Sequence, residues 1–411
     1  MPRRRLLATL ACLAVSTSLA PAARASFVPL GVVDGLAVNA ISADGSYIVG
    51  SYTDTDGFSI AMRWNITGTD PPEDLGELPS GAIGSEAHAT SADGSAVVGE
   101  SLVASAGNPN LSVSEAFLWE DGTMTGLGFL QQLGNNDQSV ALAVSADGAV
   151  IAGHSRAPDP GNPSKRVSEA FRWEGGVMTG LGFLADDGND YASEALAISG
   201  DGEVVVGRAS NTDPNNPSKS VDEAFRWEGG VMAGLGFLQD DTAKVRSEAT
   251  GISLDGSTVI GNSNVDHPDT PSASVTQAFV WRDGAMTGLG FLASSPGPYQ
   301  SLATGVSADG SVVVGTSKTA VGPEAFIWSE ETGEMRSLRA AIEEDLGVDL
   351  TGWTLDQAPV ISADGSTLVA LATNPDGEIE AFVTYLPEPA SGLYAGVALL
   401  IALQRRRRAR D

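Results

Sequence analysis

Seven of the Asp-Gly dipeptides of the 411-residue chain fall at a regular interval, beginning at Asp44, Asp93, Asp147, Asp201, Asp255, Asp309 and Asp364. The spacings are 49, 54, 54, 54, 54 and 55 residues. A period near 50 restricts the fold more than any single motif does. It implies one supersecondary unit that cannot bury its apolar face alone and stacks on copies of itself.

Each unit has four parts. An alternating segment such as ALAVSADG (141–148) leads into a β-branched run such as EVVVG (203–207). A long polar loop follows, then EAFRW or a relative, and finally VMTGLGFL. Asp-Gly between two apolar runs predicts a hairpin, because the turn needs a positive φ that glycine adopts freely. Phe117 and Trp119, Phe171 and Trp173, Phe225 and Trp227, Phe279 and Trp281, and Phe326 and Trp328 stand two apart, so each pair shares one face of a strand. The residue between them (Leu118, Arg172, Arg226, Val280 or Ile327) varies in polarity and is expected to tolerate water.

Four strands repeated seven times predict an all-β, seven-bladed β-propeller spanning residues 26–386. The ends test this. The last unit stops after Ala381-Phe382-Val383 without a fourth strand, while FVPLGVVDG (27–35) precedes the first unit and resembles an orphan fourth strand. The N-terminal strand should therefore complete the last blade and close the ring. Residues 338–357 depart from the period. Leu338, Ala341, Ile342 and Leu346 at helical spacing predict a short helix on the loop face, with Trp353 packed beneath it.

The chain opens with Arg3, Arg4 and Arg5, an apolar run, and Ala23-Arg24-Ala25 before Ser26. This reads as a signal peptide over residues 1–25, cleaved between Ala25 and Ser26, and it would remove the only cysteine, Cys12. Near the other end, an apolar run from Leu393 to Leu403 precedes Arg405 to Arg408. Residues 390–404 would span ~22 Å as a helix against a ~30 Å hydrocarbon core, making a short transmembrane anchor with its arginines on the cytoplasmic side. The two ends hold nine of the 23 basic residues and two of the 52 acidic ones, so the body between them carries about −36. Such a surface repels nucleic acid and anionic lipid at long range, leaving cations, basic partners and neutral glycans as candidates. Acidity serving solubility alone, as in a salty habitat, stands beside that reading.

Pro387-Glu388-Pro389, the apolar run and the arginine cluster together resemble the PEP-CTERM sorting signal of Gram-negative bacteria, over residues 387–411. That resemblance implies processing by exosortase; an ordinary single-span tail anchor is the alternative. The A-F-x-W-x-x-G-x-M-x-x-L-G pattern, followed by A-x-x-I/V-S-x-D-G-x-x-V-V-G, resembles the extracellular HAF-family repeat of bacteria, and GWTLDQAPVISADG (352–365) is similar to that family's last unit. The resemblance covers nearly all of residues 27–386 and implies a surface or secreted protein. It supplies no catalytic residue. The family's usual histidine before Ala-Phe is replaced here by Glu169, Glu223 or Gln277.

The three histidines, His88, His154 and His267, are expected in a first strand, after a second strand and in a long loop respectively, and share no metal or general-base spacing. No nucleophile elbow, phosphate loop or zinc pattern is present. Glu86, Glu194 and Glu248 begin first strands and are expected at one mouth of the central channel, either hydrated or crowded enough to shift a pKa or bind a cation. Glu115, Glu169, Glu223 and Glu324, before Ala-Phe, are expected to face solvent or a neighbouring blade's backbone. Two classes of long connection share one face of the disk, which would present Asp186, Asp187, Asp190, Asp240 and Asp241. Oxygen-rich loops of this kind are weak Ca²⁺ candidates, with plain solvated loops as the alternative. No other metal and no cofactor is implied.

Three functions follow as expectations. The first is a non-enzymatic, cell-surface or secreted propeller that binds a matrix component, such as an exopolysaccharide or matrix protein, through the long-loop face, since near-identical blades suit multivalent contacts. The second is a glycan hydrolase or lyase using the channel-mouth carboxylates, which predicts blade-specific polar residues toward the axis; the sequence offers little of that beyond the His88 blade. The third is a structural surface-layer spacer.

Overall fold

The computed structural model describes residues 27–386, apart from 32–34, 69–70, 80–82, 106–107, 133, 135–136, 185–190, 240–244 and 293–296. Within these, the repeats form seven four-stranded antiparallel sheets. Blades 1 to 6 each take four consecutive strands in chain order, running outward from the axis. In blade 3 these are Ser139–Val144, Val150–Asp159, Asn162–Glu174 and Val177–Gly180. Blade 7 takes Val360–Ile361, Thr367–Thr373 and Ile379–Tyr385 from the last repeat, and its outermost strand is Phe27–Gly31. Phe27 pairs with Thr384 and Gly31 with Ala381, so the ring closes through the N-terminal strand as the chain arithmetic requires. The signal peptide, its cleavage site and residues 387–411 lie outside the described residues. No helix among the described residues is long and apolar enough to cross a membrane.

The core lies between blades. Phe171 is fully buried and packs on Ala96, Val98, Ala116 and Leu118 of blade 2, and Phe225 packs in the same way on Val150, Ala152 and Ala170 of blade 3. Phe117, Phe279, Phe326 and Phe382 are also fully buried. Each such side chain contributes roughly 1.5–3 kcal/mol of transfer free energy, and it does so between repeats rather than within one.

Polar side chains stitch the same seams. The first-strand serines Ser85, Ser139, Ser193, Ser247 and Ser301 each accept the amide of an alanine in the preceding blade at 2.9 Å and donate to a glycine carbonyl there. The arginine of A-F-R-W, expected to tolerate water, is instead mostly covered. Arg172 reaches the carbonyl of Gly202 and Arg226 that of Gly256, each in the turn of the next blade. Arg63 does the same to Gly94 while lying 4.4 Å above the Trp119 ring.

The long polar loop predicted inside each repeat is a β-hairpin in blades 2 to 5. Arg156 pairs with Ser168, Ala157 with Val167 and Pro158 with Arg166, and the reversal takes only Pro160 and Gly161. The Asp159 carboxylate holds that turn by accepting the amides of Gly161 and Asn162 at 2.7 and 3.0 Å. His154 and His267 accordingly lie within second strands, not after a strand or in a loop. Blades 1, 6 and 7 have shorter hairpins, so four of seven blades project beyond the disk.

The helix Leu338–Leu346 forms where expected. Ser337 caps its start by accepting the Ala340 amide, and Gly347 ends it in the left-handed region at φ 67°. Leu338, Ala341 and Ile342 are buried, and Trp353 packs against the same cluster.

Candidate functional site

The glycine that ends each Val-Val-Gly run sets the geometry of the channel. An added Cβ at Gly153 or Gly207 would fall 2.0 Å from the carbonyl oxygen of Val140 or Glu194. The inner strand therefore presses on the second strand at this point, and its register shifts by a bulge immediately afterwards. Whatever follows the glycine stands beside the second residue of the inner strand. Glu100 faces Glu86, His154 faces Val140, Arg208 faces Glu194, Asn262 faces Glu248 and Thr316 faces Leu302. Five blades present five different polar side chains at one level, more blade-specific polarity than was legible in the sequence.

These residues form a connected arc. Asn39 donates to Glu86 at 3.1 Å, and His88 Nε2 lies 3.7 Å from Glu100. Glu194 takes two bonds from Arg208, at 2.7 and 3.0 Å. Arg208 also reaches within 3.7 Å of Glu248, which Arg246 approaches at 3.2 Å. Glu86, Glu194 and Glu248 thus share a mouth, as expected, but guanidinium groups separate the last two. Burial pushes the Glu100 carboxyl up, and the His88 imidazole and Ser114 hydroxyl outweigh it, leaving the group below its usual range. Burial also pushes His154 down, against the pull of Glu194 and Glu100, so its imidazole stays neutral at neutral pH. His88 Nε2 and His154 Nδ1 are buried without a hydrogen-bond partner. The histidines that shared no sequence spacing are brought together through blades 2 and 3; His267 stands apart at a hairpin tip, with its ring edge-on to Tyr299 at 5.2 Å.

Beside this arc, on the long-loop face, a cavity of about 220 Å³ opens between blades 2 and 3. Ser112, Ser114, Asp137, Gln138 and Arg156 line it beside Leu102, while Val113 borders it with its side chain packed into the seam of blades 1 and 2. The projecting hairpin of blade 2 forms one wall, and the segment entering blade 3 forms the other. The repeat places Tyr191 and Tyr299 where Asp137 stands, and each packs edge-on against a phenylalanine at 5.3 Å.

The glutamates before Ala-Phe neither face solvent nor reach a neighbouring blade. Glu115, Glu169 and Glu223 accept the amides of Gly128, Gly182 and Gly236 at the end of their own outer strands, and Glu324 takes the Ser337 hydroxyl. Burial raises the Glu115 and Glu169 carboxyls above the usual range. The calcium candidates Asp186, Asp187, Asp190, Asp240 and Asp241 lie outside the described residues. Among the described residues, no group of three or more histidine or acidic side chains is arranged to hold a metal ion.

Fold and site define a self-closed seven-bladed β-propeller with a charged arc at one channel mouth and a polar cleft between blades 2 and 3. No protein-family model and no curated protein sequence matches the chain. Solved structures similar to it include TolB from Acinetobacter baumannii, with 14% identity and a TM-score of 0.40 over 84% of this chain and 81% of that one. Puromycin hydrolase aligns at 14% identity and TM-score 0.49 over 85% of this chain and 51% of the hydrolase. The acylaminoacyl peptidase of Pyrococcus horikoshii aligns at 12% and 0.43 over 83% and 50%.

Proposed function

We propose that the protein is an exported, non-enzymatic binding propeller of the cell surface or extracellular matrix, which engages hydroxyl-rich glycan segments on its long-loop face. The observation that carries this reading is the cleft between blades 2 and 3. Two hydroxyls, an amide, a carboxylate and a guanidinium converge beside the Leu102 side chain, which suits a ring with polar edges and C–H faces. The channel does carry the blade-specific polar residues that a hydrolase would need. Pairing of Glu194 with Arg208, and of Glu248 with Arg246, nevertheless commits two of its carboxylates to charge partners and favours binding over acid–base hydrolysis. In this reading residues 1–25 direct export, and exosortase acts at the segment holding Pro387, Glu388 and Pro389 while residues 390–404 hold the protein in the inner membrane.

The test is a calorimetric titration of the purified protein with a panel of neutral and acidic oligosaccharides, repeated on Arg156→Ala and Ser114→Ala. Saturable binding that both variants weaken is expected. Binding that neither variant changes, or turnover of any glycan, sinks the proposal.

A further inference from the structure

The face opposite the long loops carries all seven Asp-Gly turns, and both ends of the propeller reach it. Leu386 donates to the carbonyl of Ser366, two residues past Asp364, and Phe27 pairs with Thr384 next to it. At the centre of this face the channel ends in an apolar well of about 130 Å³. Ile41, Val144, Ile252, Leu254, Val306 and Ile361 line it, together with the alanines that precede five of the aspartates and Thr90, whose hydroxyl is held by the Ala96 carbonyl. The volume is close to the ~150 Å³ of apolar cavities that accept a benzene-sized guest.

The rim of the well is pre-formed. Backbone bonds run from turn to turn around the axis: Asp44 donates to Ala92, Ala92 to Ala146, Ala146 to Gly200 and Gly200 to Leu254, at 2.9 to 3.1 Å. On the other side Ala308 donates to Ala363 and Ala363 to Ala43, at 2.7 and 3.1 Å. Such bonds fix the width of the mouth before any partner arrives.

Around that rim stand Asp44, Asp93, Asp147, Asp201, Asp255, Asp309 and Asp364, all exposed. In each, Oδ1 takes the amide two residues on and the hydroxyl of the serine two residues before, and at Asp255 and Asp364 Oδ2 also takes the following serine hydroxyl. Basic groups do approach this face, namely Arg63, Arg172, Arg226 and Arg282. Each is already paired, with Glu73, Glu174, Glu228 and Glu330 respectively, so the aspartate ring keeps its net charge.

An apolar centre inside a negative ring is complementary to the reverse pattern. We infer that this face is a docking surface for a partner-protein segment in which one apolar side chain, flanked by lysines or arginines, fills the well while the flanking bases meet the aspartates. Leu254 is 36% exposed at the edge of the well and is the side chain such a segment would cover. This surface is independent of the glycan cleft on the opposite face, so either assignment stands without the other.

The test uses the purified protein and a fluorescein-labelled Gly-Lys-Lys-Leu-Lys-Lys-Gly peptide, read by fluorescence anisotropy. One control peptide replaces leucine with serine, and another replaces the lysines with glutamines. Each is expected to bind about tenfold more weakly. Leu254→Ser, and separately the combined Asp44→Asn, Asp93→Asn and Asp147→Asn, should weaken the parent peptide to a similar degree. Asparagine keeps an oxygen for the turn amide, and circular dichroism checks that each variant is folded. Equal binding of the serine peptide, or unchanged binding by Leu254→Ser, reduces the effect to general charge attraction and overturns the inference. Self-association that Leu254→Ser abolishes assigns the face to a second copy and overturns it as well.

Discussion

The Ser193 hydroxyl of blade 4 lies 2.9 Å from the amide of Ala170 in blade 3 and 2.7 Å from the carbonyl of Gly182. One side chain thereby satisfies a third strand and the end of an outer strand in the neighbouring repeat. Both partners are buried polar groups that would otherwise lack a bond. Ser193→Ala is expected to cost about 1–3 kcal/mol, more than the net value of one hydrogen bond, because unmade bonds carry their full desolvation penalty. Urea unfolding measures it; a loss indistinguishable from zero would show that water replaces the hydroxyl.

Ring closure makes a second prediction. Removing Phe27–Gly31 strips blade 7 of its outer strand and leaves the edge of Ile379–Tyr385 unpaired. An exposed edge is a template for another chain. The truncated protein should associate or precipitate, and a synthetic peptide of residues 26–32 should restore a monodisperse species by strand addition. Light scattering distinguishes the outcomes, and a stable, monodisperse truncation would mean that closure does not depend on this strand.

Glu169 and Glu223 occupy equivalent positions with different surroundings. Asn211 donates to Glu223 at 2.5 Å, whereas Ala157 stands at the equivalent place in blade 3 and has no amide to offer Glu169. Burial raises the Glu169 carboxyl, so ionisation works against folding there. Glutamine keeps an oxygen for the Gly182 amide, and Gln277 stands naturally at the equivalent place beside Gly288 in blade 5. Glu169→Gln should stabilise the protein by roughly 0.5–1 kcal/mol at neutral pH, with the gain fading as pH falls and the native glutamate protonates. Paired thermal melts at pH 7 and pH 4 test this.

What the sequence disclosed and what it hid divide by range. The Asp-Gly turns, the Phe/Trp face and the helix at Leu338 are local patterns, readable because turn and periodicity constraints act within a few residues. The hairpins of blades 2 to 5 were misread because Pro158, Pro163 and their Asn and Ser neighbours have loop composition; only pairing such as Arg156 with Ser168 makes them strands. Seam serines such as Ser139 look like ordinary polar strand residues until the adjoining blade supplies Ala116. The channel arc was hidden for the same reason, since His88, Glu100, His154 and Glu194 meet only once blades 2, 3 and 4 are stacked. A usable signal did exist in the residue after each Val-Val-Gly run, which differs from blade to blade while its surroundings repeat.

The seven turn aspartates make the fold acid-sensitive in a defined window. At Asp93 the Ser95 hydroxyl, then the Ser95 amide and the Ser91 hydroxyl, hold the carboxyl at about 2. Asp147 and Asp201 are lowered chiefly by the hydroxyls of Ser145 and Ser199, and Asp309 by the Ser311 amide. At Asp44, Asp255 and Asp364 partial burial pushes upward, and the same set of hydrogen bonds outweighs it. A carboxyl with a depressed folded-state pKa contributes stability that is complete above its unfolded value, near 3.9, and is lost as pH falls through the folded value. Solvent screening limits each contribution to about 1 kcal/mol or less, but the seven act together. Urea midpoints should therefore hold steady from pH 7 to about 5 and then fall steeply between about 4 and 2. Asp93→Asn should lower the midpoint at pH 7 and flatten the fall, because its neutral amide has no charge to lose. A midpoint that does not change between pH 5 and 2.5 would mean that the unfolded chain holds these carboxylates as well as the turns do.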